Sequence, residues 1–158
     1  MTVVAIAGHQ KLPRRAVPYI REAIERQLAT TPGPIVGVSS LAEGADQLFA
    51  DILLQQGGQL HVVIPSRQYE GAFTTEAARQ RYRRLLSKSA LVHALPYPKP
   101  TEDAFLKAGQ KAVDLSDLLI AVWDGKPSRG KGGTADIVHY ARALPRPVVV
   151  IWPEGVSR

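Results

Sequence analysis

The chain contains no cysteine, which excludes a disulfide framework and a thiolate zinc site. No run of 18 apolar residues occurs either, so no segment reads as a membrane-spanning helix and no membrane partner is expected. The first residues enter a strand pattern directly, where a signal peptide would need a charged stretch and an apolar core, so the expected location is cytoplasmic. Two familiar phosphate fingerprints are missing, G-x-x-x-x-G-K-[ST] and G-x-G-x-x-G, which excludes a Walker A loop. The four histidines, His9, His61, His93 and His139, have no spacing that gathers metal ligands, and no metal or cofactor is expected.

What is present is a single domain's worth of apolar pattern. With 158 residues and 45% apolar content, residues 1–158 read as one globular domain with a sizeable core. Apolar runs recur near residues 3–7, 35–38, 60–64, 90–95, 118–123 and 147–152, with helix-period segments between them. Six strands thus alternate with five helices. The runs are continuous rather than alternating, as for strands covered on both faces, and crossovers of this length require parallel neighbours. The fold class is therefore α/β, a three-layer, doubly wound, Rossmann-like sandwich on a mostly parallel sheet. Pro13, Thr74 or Thr75, and Thr101 with Glu102 mark helix starts, and Gly57-Gly58 follows a helix end. Pro96 to Pro100 reads as a stiff connector inside the domain.

Three strand ends run into glycine- or hydroxyl-bearing turns that open helices. The last is the richest: Leu118 to Trp123 ends in Asp124-Gly125, and Gly125 to Thr134 holds Lys126, Arg129 and Lys131 with Gly130, Gly132 and Gly133. A helix N-terminus after such a turn presents free backbone N–H groups and partial positive charge to an anion. The second case is Ser39-Ser40-Leu41-Ala42-Glu43-Gly44 after Ile35 to Val38, and the third is Gly8-His9-Gln10-Lys11 after Val3 to Ala7.

Ligands of open parallel sheets bind outside the carboxyl ends of the strands. A shared crevice would hold Gly8, His9, Gln10, Ser39, Ser40, Gly44, Arg67, Asp124, Gly132, Gly133 and Thr134, with Tyr69 or Phe73 as a base-stacking aromatic. Amide donors, hydroxyls and cations suit a nucleotide or a phosphorylated small molecule. The net charge of +6 is densest at Arg79, Arg81, Arg83, Arg84 and Lys88, where Ala78, Tyr82, Leu85 and Leu86 make a buried stripe. A solvated helix face accounts for that cluster better than nucleic-acid binding, since no exposed aromatics interleave with it.

These residues carry a resemblance. Ser39-Ser40-Leu41-Ala42-Glu43-Gly44-Ala45-Asp46 resembles the S-G-L-A-x-G-I-D segment of DprA/Smf proteins and the G-G-x-x-G-x-M motif of the lysine-decarboxylase-like LOG proteins. Gly132-Gly133-Thr134 with Asp136 is similar to the P-G-G-x-G-T-x-x-E loop of LOG proteins and the D-x-G-T-x-x-E loop of nucleoside deoxyribosyltransferases. Gly8-His9-Gln10 is similar to the G-H-R opening of YpsA-like proteins. Together they resemble the SLOG superfamily of Rossmann-like nucleotide-binding domains, and the resemblance spans nearly the whole chain. It implies nucleotide recognition, single-stranded DNA binding on the DprA side, N-glycosidic chemistry on the LOG side, and pairing into a homodimer.

One departure weighs on the enzymatic reading. The families' acid stands three positions after the loop threonine, where this chain has Ile137; Asp136 is one earlier, a turn of about 100° on a helix. The remaining catalytic candidates are Glu43 and Asp124, Asp124 being also a ribose candidate, while Asp46 equally serves the helix dipole. The preferred reading is a nucleotide-binding or sensing module. The alternative is a phosphoribohydrolase or deoxyribosyltransferase using Asp136, Glu43 or Asp124, and a third reading is single-stranded DNA binding. His9 reads as a hydrogen-bonding pocket residue, and Trp123 and Trp152 as packing residues.

Overall fold

The computed structural model describes residues 1–158 throughout. Strands and helices alternate as the periodicity indicates: β1 (Thr2–Gly8), α1 (Val17–Thr30), β2 (Ile35–Ser39), α2 (Ala45–Gln55), β3 (Gln59–Ser66), α3 (Glu76–Ser87), β4 (Leu91–Tyr97), α4 (Glu102–Asp114), β5 (Leu118–Val122), α5 (Thr134–Ala143) and β6 (Val148–Ile151). The six strands form one sheet in the order β4-β3-β2-β1-β5-β6, and every pair is parallel.

Each central strand feeds two cores, which explains its unbroken apolar run. On β1, Val4 and Ile6 join α1, α2 and α3 residues on one face, while Ala5 and Ala7 join α4 and α5 on the other. The first face is bulky: Ile20, Ile24, Phe49, Ile52, Leu53 and Leu85 are all buried. Full burial of side chains of this kind stabilises by about 1.5–3 kcal/mol each. The second face is built largely from Ala5, Ala7, Ala108, Ala112, Ala121, Ala135 and Ala141. Its helices seat closely, to the point that a Cβ at Gly109 of α4 would lie 2.3 Å from Ile137 Cδ1 of α5.

Local chemistry sets the helix starts. The Thr75 and Thr101 hydroxyls accept hydrogen bonds from Ala78 N–H (3.1 Å) and Ala104 N–H (3.2 Å), capping α3 and α4, an arrangement worth about 1 kcal/mol each. The Arg-rich helix α3 buries Ala78, Tyr82 and Leu85. Much of its charge is matched, with Arg79 on Glu76, Arg81 on Asp51 and Arg83 on Glu70.

Two sequence expectations need correction at the β4 edge. Pro96 and Tyr97 belong to the strand rather than to a connector, and proline is tolerated there because an edge strand leaves N–H positions without a ladder partner. Nor is β4 covered on both faces: Leu91 and Val92 are 46% and 43% exposed. Its apolar run carries the pattern of a buried strand onto an open edge.

Candidate functional site

The chain runs outward from β1 through β2 and β3 to β4, then returns to place β5 on the other side of β1. The reversal opens a crevice outside the carboxyl ends of β1 and β5, where α/β folds of this kind bind ligands. A cavity of about 660 Å³ occupies that place. Its wall includes Gly8, His9 and Gln10 after β1, Ser40 and Asp46 around the start of α2, and the loop from Lys126 to Thr134 after β5. Helix α4 adds Glu102, Phe105, Ala108 and Ala112, and Tyr69 stands beside Phe105 at a ring separation of 6.3 Å.

The three turns differ in what they offer an anion. At the start of α5, no acceptor within the protein takes the N–H groups of Gly133, Thr134 or Ala135. Gly133 at the N-cap supplies no side chain to cap them. Asp136 instead ties the loop down: its Oδ2 accepts from Gly132 N–H at 2.9 Å, and its own N–H donates to Ser128 Oγ at 3.2 Å. The turn between β2 and α2 spends more of its donors internally, Ala45 and Gln47 N–H both being taken up at the start of α2. Ser39 Oγ accepts from Leu41 N–H (3.0 Å) and donates to Asp46 O (3.2 Å), and Ala45 N–H donates to His9 O (3.2 Å). The turn after β1 is packed tightly, since a Cβ on Gly8 would lie 2.4 Å from Ala45 Cβ.

At the cavity wall a largely buried polar network joins β1, β5 and the C-terminal segment. His9 is 5% exposed and stands edge-on to Trp152 at 5.3 Å. Its Nδ1 lies 3.0 Å from Arg158 Nη1 and 3.4 Å from Thr134 Oγ1, while Nε2 lies 3.3 Å from Asp124 Oδ1. A guanidinium only donates, so Nδ1 faces a donor, while Nε2 lies 3.1 Å from the Asp124 backbone N–H as well as beside the Asp124 carboxylate. Burial, then Arg158, holds His9 below its ordinary value of 6.5. Asp124 is pushed up by burial. The Lys126 N–H donated at 3.0 Å, His9 and Arg158 outweigh that and leave it below the usual carboxylate value. Its Oδ2 is 3.2 Å from Arg158 Nε, a contact of charge without an aligned hydrogen bond.

The sequence-derived site residues therefore fall into two groups. Gly8, His9, Gln10, Ser40, Gly132, Gly133 and Thr134 line one cavity. Ser39, Gly44, Arg67, Asp124, Asp136 and Glu43 are outside its lining. Ser39 and Gly44 shape the loop beneath, Asp124 orients His9, and Asp136 braces the anion loop. Of the residues that do line it, sequence reading passed over Phe105, Arg158 and, as more than a helix-dipole partner, Asp46. Phe105 shares a helix face with Ala108 and Ala112, a detectable signal; Arg158 meets His9 across 149 positions, and no local pattern carries that contact.

The fold has known counterparts. DNA processing protein A (DprA) from Streptococcus pneumoniae superposes with a TM-score of 0.71 at 21% identity, covering 98% of this chain and 51% of its own. The fold is that of DprA. DprA from Helicobacter pylori, described for its single-stranded DNA binding mode, gives a TM-score of 0.70 at 21% identity over 99% of this chain and 67% of its own. The structure of TM1055 follows at 0.58 and 16% identity, over 94% of this chain and 72% of its own. The chain thus spans about half the length of the pneumococcal DprA. These likenesses show a shared fold, in agreement with the Rossmann-like architecture expected from the sequence. No protein-family model and no curated protein matches the chain.

Proposed function

We propose that this chain binds a nucleotide or nucleotide-derived ligand, its phosphate on the α5 N-terminus and the remainder inside the cavity. The observation that carries the reading is the set of unpaired amides at Gly133, Thr134 and Ala135 opening on a cavity that Lys11, Lys126, Arg129, Lys131 and Arg158 also line. Backbone N–H groups and the helix dipole favour a negative ligand group there, and the surrounding cations reinforce them. Phe105, Tyr69 and Ile137 supply an apolar wall for a base. Binding is favoured over glycosidic cleavage because Asp136 and Asp124 are engaged in holding the loop and His9, and Glu43 is outside the lining.

The test is a thermal-shift panel of nucleoside mono-, di- and triphosphates, ADP-ribose and sugar phosphates, with chromatography of each mixture after incubation. A ligand that prefers the folded state raises the melting temperature by mass action. A selective rise without new products supports a binding module, released base makes the chain an enzyme, and no shift removes the proposal. Single-stranded DNA is the second reading, favoured by the likeness to the H. pylori protein. Its signature is binding that weakens steeply with salt, because each phosphate contact releases counterions.

A further inference from the structure

Asp46 is a buried carboxyl on the wall of the cavity, only 8% exposed. Glu102, the other acid of the lining, is exposed. Asp46 takes part in none of the protein's ion pairs. Apart from the Ala42 N–H that supports it, it is surrounded by burial alone, which pushes it up to about 7. A carboxyl in this state costs stability unless something else needs it. Position adds to the argument. Asp46 sits in the first turn of α2, after β2, whereas the open amides belong to α5, after β5, and β1 separates the two strands. Two strand spacings put them about 10 Å apart along the sheet edge. They also approach from opposite faces, since α2 packs in the first core and α5 in the second. Tyr69 is close enough to Asp46 that the carboxylate, after burial, adds to the upward push on its phenol.

We propose that Asp46 reads the base of the bound nucleotide, accepting an N–H from the base edge while the phosphate lies on the α5 amides at the other side of the cavity. The inference rests on the nucleotide reading above and adds the base as the recognised part. A ligand anchored by its phosphate alone would leave Asp46 with only the Ala42 N–H; a base against Tyr69 and Phe105 supplies both stacking surface and a further donor.

Calorimetric titration tests it, with AMP, GMP, CMP, UMP and ribose 5-phosphate added to the wild type, Asp46→Ala and Asp46→Asn. The wild type should bind at least one of the four nucleotides more tightly than ribose 5-phosphate. Asp46→Ala should weaken that nucleotide by about tenfold or more, the effect of one lost buried hydrogen bond, and leave ribose 5-phosphate unchanged. Asp46→Asn, whose amide oxygen still accepts, should recover most of the affinity. Equal weakening of nucleotide and sugar phosphate in Asp46→Ala would assign Asp46 to the ribose or the fold and overturn the inference. So would a wild type that binds ribose 5-phosphate as well as any nucleotide, while the anion loop survived that result. A wild type that binds none of the five ligands overturns the nucleotide reading and this inference with it.

Discussion

Gly44 joins the two loops that flank the cavity, and its replacement separates two costs that usually travel together. Its backbone has φ +88° and ψ −124°, a region in which a side chain is strained. A Cβ there would lie 2.3 Å from Gln10 O and 2.6 Å from His9 O, both backbone atoms of the loop after β1. Gly57, after α2, also has positive φ, +81°, yet nothing lies within 4 Å of a Cβ. Left-handed backbone costs an L-residue about 1–2 kcal/mol, and the stiffer unfolded chain returns about 0.4–1 kcal/mol of that. Gly57→Ala should therefore destabilise by about 1 kcal/mol. Overpacking against atoms that cannot rotate away adds about 1–3 kcal/mol, so Gly44→Ala should lose about 2–4 kcal/mol. At about 2–4 °C per kcal/mol for a chain of this size, melting followed by circular dichroism should fall by about 2–4 °C in Gly57→Ala and about 5–15 °C in Gly44→Ala. Nucleotide affinity should fall only in Gly44→Ala, because its clash displaces His9 and Gln10. Equal melting of the two variants would refute the reasoning, since it would mean that the contact between the loops carries no weight.

Asp46 links stability to pH in a direction opposite to most carboxylates. Burial raises it from 3.8 to about 7 in the fold, so its contribution is present below pH 3.8 and is lost as pH rises through 7. Asp46→Asn should thus gain on the wild type as pH increases from about 4 to 8, by on the order of 4 kcal/mol, in denaturant titrations; a pH-independent gap would contradict this. His9 acts on the other side. Its folded value is held below 6.5 by burial and Arg158, so the unfolded chain protonates first and stability declines as pH falls below 6.5. His9→Gln should lack that decline in the same titrations. Gly133→Glu puts a carboxylate at the anion site and a Cβ 2.7 Å from Ser128 Oγ. It should abolish the nucleotide-dependent rise in melting temperature, and a retained rise would place the phosphate elsewhere.

The strands were legible because the four inner ones are covered on both faces or nearly so, which leaves a continuous apolar signature. Strands β4 and β6 have the same signature on exposed edges, and nothing in Leu91-Val92 or Val148-Val149-Val150 distinguishes the two situations. Site residues at strand ends were legible for a topological reason: parallel strands bring all their carboxyl ends to one edge. What a turn offers a ligand was not. Sequence makes the β2–α2 and β5–α5 turns look equivalent. Their difference lies in bonds such as Ala45 N–H to His9 O, which take up first-turn donors of α2 while the corresponding donors of α5 stay open. Asp136 stands one position before the acid of the resembling motifs, and its side chain is spent on Gly132 N–H. Asp46 was weighed as a helix-dipole residue because its burial depends on packing against the cavity wall, which its neighbours in sequence do not encode.

The most direct measurement is an amide ¹H–¹⁵N correlation titration of the ¹⁵N-labelled chain with the nucleotide that gives the largest thermal shift. The account predicts the largest perturbations at the amides of Gly133, Thr134 and Ala135, with smaller ones around His9 and Asp46. Perturbations centred on Arg84 and Lys88 of α3, or none that saturate, would contradict it.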